Sequence, residues 1–394
     1  MMNILEEVNT FADWIVSLRR QIHRHPELMY KEIETSRLVR DTLDQLGIPY
    51  DYPFAETGVV ATLGGRKRPC VALRADMDAL PIHEETEVPF RSEEDGKMHA
   101  CGHDCHTAML LGAARLIKAH ESKLRGTVKL IFQPAEEGGA GADRMCQEGA
   151  LDEPKVERIF GLHVWPSMTT GTVACSPGMI LASAGFFEIT VKGKGGHGAL
   201  PHLTIDPITC AAKIIVELQT IVSRETNPFS PTVVSVGSIC GGEAMNVIPE
   251  EVKLIGTFRS LSETGLATVK KRIEEIAVGI AKANRCMAKI VYPMREFPPT
   301  INDEMCWALT QKAAEGLVGT HNVLVMEPIL GSEDFAFYQQ RIPGCLAFLG
   351  VSAPAWETRY GVHHPMFRVD EAALPLGSAW LVAMVTESLA ELRE

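Results

Sequence analysis

The 394-residue chain has no run of 18 or more apolar residues, and its N-terminal MMNILEEVNTFADW lacks a basic segment ahead of an apolar core. The first absence argues against a membrane span, the second against a secretory signal. Lys and Arg are scattered rather than clustered, and the acids outnumber them to give a net charge of −12. Neither nucleic acid nor an anionic membrane is expected as a partner of such a chain. There is no internal repeat and no low-complexity tract. The ten cysteines (70, 101, 105, 146, 175, 210, 240, 286, 306 and 345) show no framework spacing, and most stand among apolar neighbours, as Cys210 does in ITCAAKII. Free, buried thiols in a reducing cytoplasm are therefore expected. What remains is ordinary and globular: 46% apolar residues, enough for one large domain or for two.

Cys101 stands apart because of its company. His99 to His106 reads HACGHDCH, with three His, two Cys and one Asp in eight residues. Cys101 and His103 are two apart, so one short turn brings both to a single cation, and Gly102 permits the backbone angles such a turn needs. Thiolate and neutral imidazole are ligands for zinc and similar metals. Two ligands do not complete a site, so the others must come from elsewhere in the chain.

Apolar spacing predicts two helices between Phe11 and Leu46, parted near Pro26. Strands follow at Val59–Leu63 and Cys70–Ala75, the second running straight into Asp76 and Asp78. Thr107–His120 is an amphipathic helix, Thr127–Gln133 a buried strand followed at once by PAEEGG, and Ile159–Val164 a strand containing His163. Strand and helix in alternation imply a parallel sheet, and ligands sit outside the carboxyl ends of such strands. Asp76, Asp78, Glu136, Glu137 and His163 all fall at those ends. From Phe186 the order becomes β-α-β-β-α-β, the ferredoxin-like order, closing before Pro298-Pro299. Helix and strand then alternate again to the end, as expected of a return to the first sheet. The fold expected is α/β: a mostly parallel mixed sheet with helices on both faces, formed by residues 1–183 and 299–394, with 184–298 inserted as an α+β domain.

Cys101, His103, Glu137, His163 and one of His363 or His364 make five donors, too many for one tetrahedral zinc but suited to two metals with a bridging ligand. A metal pair polarises a carbonyl and makes hydroxide available near neutral pH. Glu136, beside a ligand, is placed to take a proton from water and hand it to a leaving amine. Asp78 is a carboxylate suited to orienting a ligating imidazole.

RADMDALP, HACGHDCHTAMLLGAA, FQPAEEGGAGA, GLHV, GKGGHGALPH, NVIPE with GTFR, GSEDF and HHPMF occur in this order across nearly the whole chain. Together they resemble the aminoacylase and carboxypeptidase superfamily of metallohydrolases, and more narrowly its amidohydrolase branch, with hippurate hydrolases and indoleacetyl-amino-acid hydrolases. The resemblance implies hydrolysis of N-acyl or N-aroyl amino acids with two divalent metal ions, zinc or manganese. It implies that Cys101, His103, Glu137, His163 and His363 are the ligands, with Cys101 in place of a bridging aspartate and His363 chosen because it stands two before the Pro. Glu136 becomes the general base, with Asp78 behind the metal site. The inserted domain becomes a lid and dimerisation domain in a homodimer, with Asn246 and Arg259 holding the substrate carboxylate. His197 becomes an oxyanion donor that reaches the other subunit's site. Asp76 stands where other branches carry a metal-binding His, and Cys105 where this branch usually has Gly. Other readings are a dipeptidase or carboxypeptidase of the same superfamily, a cysteine-nucleophile amidase built on Cys101 or Cys105, and a non-catalytic metal-binding relative.

Overall fold

A computed structural model describes residues 4–393 of the chain. Three helices come first: α1 (Ile4–Asn9), α2 (Ala12–Arg24) and α3 (Ile33–Leu46). β1 (Tyr50–Phe54), β2 (Gly58–Gly64), β3 (Cys70–Asp76), α4 (His103–Ala119) and β4 (Thr127–Gln133) follow. After them come α5 (Gly141–Gln147), β5 (Arg158–Thr169), β6 (Val173–Ala174) and β7 (Gly178–Leu181). The next run is β8 (Ser183–Lys192), β9 (Gly196–His197), α6 (Pro207–Thr220) and β10 (Thr232–Cys240). It continues with β11 (Val247–Ile248), β12 (Glu251–Ser260), α7 (Glu263–Ala283) and β13 (Met287–Val291). The last part holds β14 (Thr300–Asn302), α8 (Glu304–Val318), β15 (Val323–Leu324), α9 (Ala336–Gln339), β16 (Gly344–Ser352) and α10 (Leu374–Glu391).

The chain divides into two compact units. The first takes the residues up to Ile180, Ile301–Glu327 and the residues from Asp334 onward; the second takes Leu181–Thr300 and Pro328–Glu333.

In the first unit an eight-stranded sheet runs β1-β2-β4-β3-β5-β16-β6-β15. Its centre is parallel, β4 with β3, β3 with β5 and β5 with β16, while β1 and β2 join antiparallel at one edge. The mostly parallel α/β expectation holds, and the chain does return to the first sheet through β16. Side chains alternate across β5. Phe160, Leu162 and Val164 join one apolar core with residues of α4 and α10, while Gly161 on the opposite face lies against the ring of Phe335. Helices therefore cover both faces. Burying the largest of these side chains, such as Phe160 and Phe132, contributes about 1.5–3 kcal/mol each.

Two elements differ from the sequence reading in ways that shape the site. The helix expected from Thr107 starts at His103, so the second half of the metal-like octet, His103 to His106, forms its first turn. β5 runs on to Thr169 rather than stopping at Val164, because β16 continues to pair with it as far as Ser352 and Thr169. His163 is thus inside a strand, yet β3 pairs with β5 only as far as Arg74 and Gly161, so the residue stands beyond the paired part of β3, level with its last residue, Asp76. β1, α1 and α5 were not expected from the apolar pattern.

α10 lies in the one segment among the described residues long and apolar enough to cross a membrane, Glu371–Glu391, and 83% of its apolar window is buried in the protein. Its hydrophobicity serves the core of the first unit.

The second unit is a four-stranded antiparallel sheet in the order β10-β12-β8-β13, with α6 and α7 packed against it. With β8, α6, β10, β12, α7 and β13 in chain order, this is the ferredoxin-like arrangement. Phe187 of β8 crosses Gly256 of β12 so closely that a Cβ there would lie 2.2 Å from the ring, so only glycine fits that register. The last strand is short, Met287–Val291, and α6 passes into a π-helical turn at Ile221–Glu225.

Candidate metal centre

The carboxyl edge of the first unit's sheet gathers the residues of interest. Asp76 ends β3 and pairs with Gln133, the last residue of β4. The segments beyond both strands are tied together by Asp78. Its Oδ1 accepts the backbone N–H of Glu136 and its Oδ2 that of Glu137, each at 3.0 Å. Asp78 Oδ1 also lies 3.2 Å from His103 Nδ1, which directs the other ring nitrogen, Nε2, away from Asp78. Gly102, at φ +87°, turns the chain into α4, and a Cβ there would sit 2.4 Å from the Val164 side chain. The turn that separates Cys101 from His103 is therefore open to glycine alone.

Among the sets of three donor atoms that lie within 4.8 Å of one another, two contain Cys101: Cys101, His103 and His163, and Cys101, Glu137 and His363. Cys101 is common to both. Its Sγ lies 3.4 Å from His163 Nε2, while His163 Nδ1 donates to the carbonyl of Val164 at 2.7 Å. That bond leaves the Nε2 lone pair of His163 free for a cation. Glu137 Oε1 lies 3.1 Å from His363 Nε2 and 3.9 Å from His103 Nε2. His363 takes φ +65°, and its N–H donates to Ala100 O at 2.7 Å, fastening it beside the octet. His364 turns elsewhere: its Nδ1 accepts the N–H of Met366 at 3.0 Å and its ring stacks on Tyr360.

The electrostatics fit a cation. His103 Nε2 and Glu137 Oε1 are buried without a hydrogen-bond partner among the described residues. Burial opposes charge on His103, yet Asp76, Asp78 and Glu137 outweigh it and raise its pKa to about 10. So strong a demand for positive charge suits a divalent ion, and thiolate with imidazole and carboxylate suits zinc or a similar metal. Burial and the neighbouring His106 hold His163 well below the usual imidazole range, keeping it neutral as a ligand must be. Burial, with Glu137, Glu136 and Asp76, pushes the Cys101 thiol well up, which is the reverse of what a cysteine nucleophile needs. Cys105 is buried in the apolar core, its thiol likewise pushed well up by burial and Asp104.

Glu136 is buried beside this centre, and its Oε1 accepts the N–H of Asp334 at 3.3 Å. Asp334, inside the GSEDF motif, also accepts from Arg74 Nη2 at 3.0 Å, Gln133 Nε2 at 2.8 Å and the N–H of Ala142 at 2.9 Å. Asp76 accepts from Arg74 Nη1 at 2.7 Å and lies 2.6 Å from His106 Nδ1. Burial would raise its pKa, but Arg74, His103 and His106 outweigh it and hold Asp76 well below the ordinary carboxylate range. Sequence reasoning gave Arg74, Gln133, His106 and Asp334 no part. The signal available was their presence in RADMDALP, FQPAEEGG, HACGHDCH and GSEDF.

His197, Asn246 and Arg259 belong to the second unit. His197 pairs with Val247, the neighbour of Asn246, and the Asn246 carbonyl accepts the N–H of Gly198 at 2.7 Å. His197 is exposed, and its Nδ1 accepts the N–H of Ala199 at 3.0 Å, so Nε2 carries the ring proton. Arg259 stands on β12 with its guanidinium over the Phe186 ring. Its Nη1 is buried without a partner among the described residues, and burial lowers its pKa.

Comparison with known proteins follows the same lines. The profile of Peptidase family M20/M25/M40 matches residues 72–387. The chain is 47% identical to IAA-amino acid hydrolase ILR1-like 4 of Arabidopsis thaliana over 392 residues, 99% of this chain and 89% of that protein. N-acetylcysteine deacetylase of Bacillus subtilis (strain 168) is 39% identical over 387 residues, 96% of this chain and 98% of that one. Among solved structures, the Bacillus subtilis YXEP protein, a dinuclear metal binding peptidase from the M20 family, matches with TM-score 0.81 and 36% identity over 97% of this chain and 99% of that one. The motifs that resembled a metallohydrolase superfamily thus have a named home: the chain belongs to Peptidase family M20/M25/M40.

Proposed function

We propose that this chain is a metal-dependent amidohydrolase that cleaves the amide bond of N-acyl or N-aroyl amino acids, such as acetyl, benzoyl or indoleacetyl conjugates. The observation that carries the reading is the pair of donor clusters sharing Cys101, with the Glu136 carboxylate beside them. Cys101, His103 and His163 would hold one divalent ion, and Cys101, Glu137 and His363 the other; the donor set suits zinc and manganese. Such ions supply Lewis acidity and a source of hydroxide near neutral pH. The rest falls to the chain. Glu136 takes the proton of the attacking water and delivers it to the amine nitrogen as the C–N bond breaks. Asp78 keeps Glu136, Glu137 and His103 in register. Arg259, with Asn246, meets the substrate's α-carboxylate, which suits a planar guanidinium whose Nη1 has no partner among the described residues. His197 donates from Nε2 to the oxyanion of the tetrahedral intermediate. The names of the relatives, an IAA-amino acid hydrolase and an N-acetylcysteine deacetylase, accord with substrates of this kind.

In the same reading the second unit acts as lid and dimerisation domain of a homodimer. α6 leaves Ile208 and Val216 exposed, and β10, an edge strand, leaves Ile239 exposed, an apolar edge of the sort that pairs with a copy of itself. The ten cysteines are free, which accords with a cytoplasmic location.

The test is removal of metal by a chelator and its restoration, assayed over acetyl, benzoyl, indoleacetyl and dipeptide substrates with zinc and with manganese. Amide hydrolysis should vanish and return with metal. Activity that survives full chelation removes the reading, and preference for dipeptides replaces the acyl-amino-acid substrate with a peptide.

A further inference from the structure

His106 is the third imidazole of the octet, and the chemistry above gives it nothing to do. It is 2% exposed, on the first turn of α4, and both ring nitrogens are engaged. Nδ1 lies 2.6 Å from Asp76 Oδ1, and Nε2 accepts the backbone N–H of Val164 at 2.9 Å. A main-chain N–H only donates, so Nε2 is the bare nitrogen and Nδ1 carries the proton that Asp76 receives. Arg74 Nη1 holds Asp76 in turn at 2.7 Å. His106 shares a donor cluster with Asp76 and His103, but its one lone pair is already spent on Val164.

What that lone pair holds is the main chain next to His163. The pairing of β3 with β5 has stopped at Gly161, and beyond it His106 supplies the acceptor that the Val164 N–H needs. The carbonyl of the same residue, Val164, accepts His163 Nδ1–H at 2.7 Å, leaving His163 Nε2 facing Cys101 Sγ at 3.4 Å. Arg74, Asp76, His106, Val164 and His163 thus form one continuous line of hydrogen bonds. We propose that His106 is a positioning residue: it fixes Val164, and through it aims His163 Nε2 at the position shared with Cys101 and His103. The inference rests on the reading of His163 as a metal ligand. No residue peculiar to the other cluster, Glu137 or His363, is hydrogen-bonded to His106 or Val164 among the described contacts, so the effect belongs to one ion of the two.

The full chain, stripped of metal, is titrated with cobalt(II) as wild type, His106→Asn and His106→Gln, with visible absorption and bound metal per chain as readouts. Asn keeps a donor toward Asp76 but is too short to reach Val164; Gln sets an amide oxygen near the place of Nε2 and keeps that acceptor. His106→Asn should bind one of two ions about 10- to 100-fold more weakly and the other as before, the usual range for loss of a ligand's supporting partner. His106→Gln should bind both as wild type does. Equal loss in both variants overturns the proposal, because the ring rather than its acceptor nitrogen is then what matters. Unaltered binding in His106→Asn overturns it too. Should His106→Asn fail to fold, His106→Gln decides alone, by keeping or losing the weaker ion. A wild type that binds fewer than two ions overturns the two-ion reading beneath the proposal, and is seen before any variant is compared.

Discussion

The carboxylate of Asp78 accepts the backbone N–H of Glu136 at 3.0 Å, so a residue just past one strand sets the turn that follows the next. The same carboxylate reaches His103 Nδ1 at 3.2 Å. Asp78→Ala cuts both ties at once. Metal affinity and kcat should each fall about 10- to 100-fold, the range for loss of a partner that orients a ligand. Calorimetric metal titration with steady-state kinetics checks this, and values within about twofold of wild type would free Asp78 of the role.

Glu136→Gln keeps the shape of the side chain and an acceptor for the Asp334 N–H, 3.3 Å away in the native protein. It cannot take a proton from water. Metal content should stay at the wild-type level while kcat drops by about 10²–10⁴, the usual contribution of a general base. Normal turnover with normal metal content would assign the proton transfer to another group.

How much of this was legible in the sequence follows from what each element depends on. The ends of β3 and β4 were readable because acidic residues follow directly on apolar runs. The extension of β5 through Trp165–Thr169 was not, since WPSMT has a Pro and no alternation, and it is pairing with β16 that keeps it extended. β1 was hidden in the same way by Pro53 within YDYPF. The chain could announce that His99, His103 and His106 were near one another but not what each does. His103 Nε2 has no hydrogen-bond partner among the described residues while both nitrogens of His106 are bound, a difference made by Asp76 and Val164, which approach only through the fold.

His23 offers a pH test away from the chemistry. Its Nδ1 lies 2.7 Å from Asp104 Oδ2 and its Nε2 3.3 Å from Glu84 Oε1. Burial and Arg19 oppose charge on the ring, but Asp104 and Glu84 outweigh them and raise its pKa above 6.5. A base whose pKa rises on folding adds stability that is whole below its unfolded pKa and fades as pH climbs through the folded one. The thermal midpoint should therefore decline above about pH 6.5 more steeply in wild type than in His23→Gln. Melting curves of both proteins across that range, metal held saturating, give the comparison. Parallel declines would mean that His23 takes up no extra proton on folding.

Arg259→Lys replaces a planar fork with a point charge, so two parallel hydrogen bonds to a carboxylate are no longer possible. Hydrogen bonds to charged groups are worth about 1.5–3 kcal/mol, so KM for substrates with a free α-carboxylate should rise roughly ten- to hundredfold. The corresponding α-amides should change far less. Equal effects on acid and amide would take Arg259 out of carboxylate recognition.

His197 carries the last prediction, and with it the question of which subunit it serves. It lies exposed on β9 within GKGGHGALPH, its Nδ1 occupied by the Ala199 N–H at 3.0 Å and its Nε2–H free to donate. A ring so arranged has no packing to perform, while an oxyanion donor needs an available N–H on a fixed turn. Losing one such donor typically costs about 10²–10³ in kcat, and His197→Ala should lose that much with its metal content intact. If the protein is a homodimer in which His197 acts on the partner's site, His197→Ala and Glu136→Gln are each nearly dead alone but complementary together. Co-expressed with different tags and purified on both, they should yield mixed dimers with one complete site and measurable activity. Mixed dimers that stay dead, beside a crippled His197→Ala, would confine the residue to its own subunit. A fully active His197→Ala would remove it from catalysis altogether.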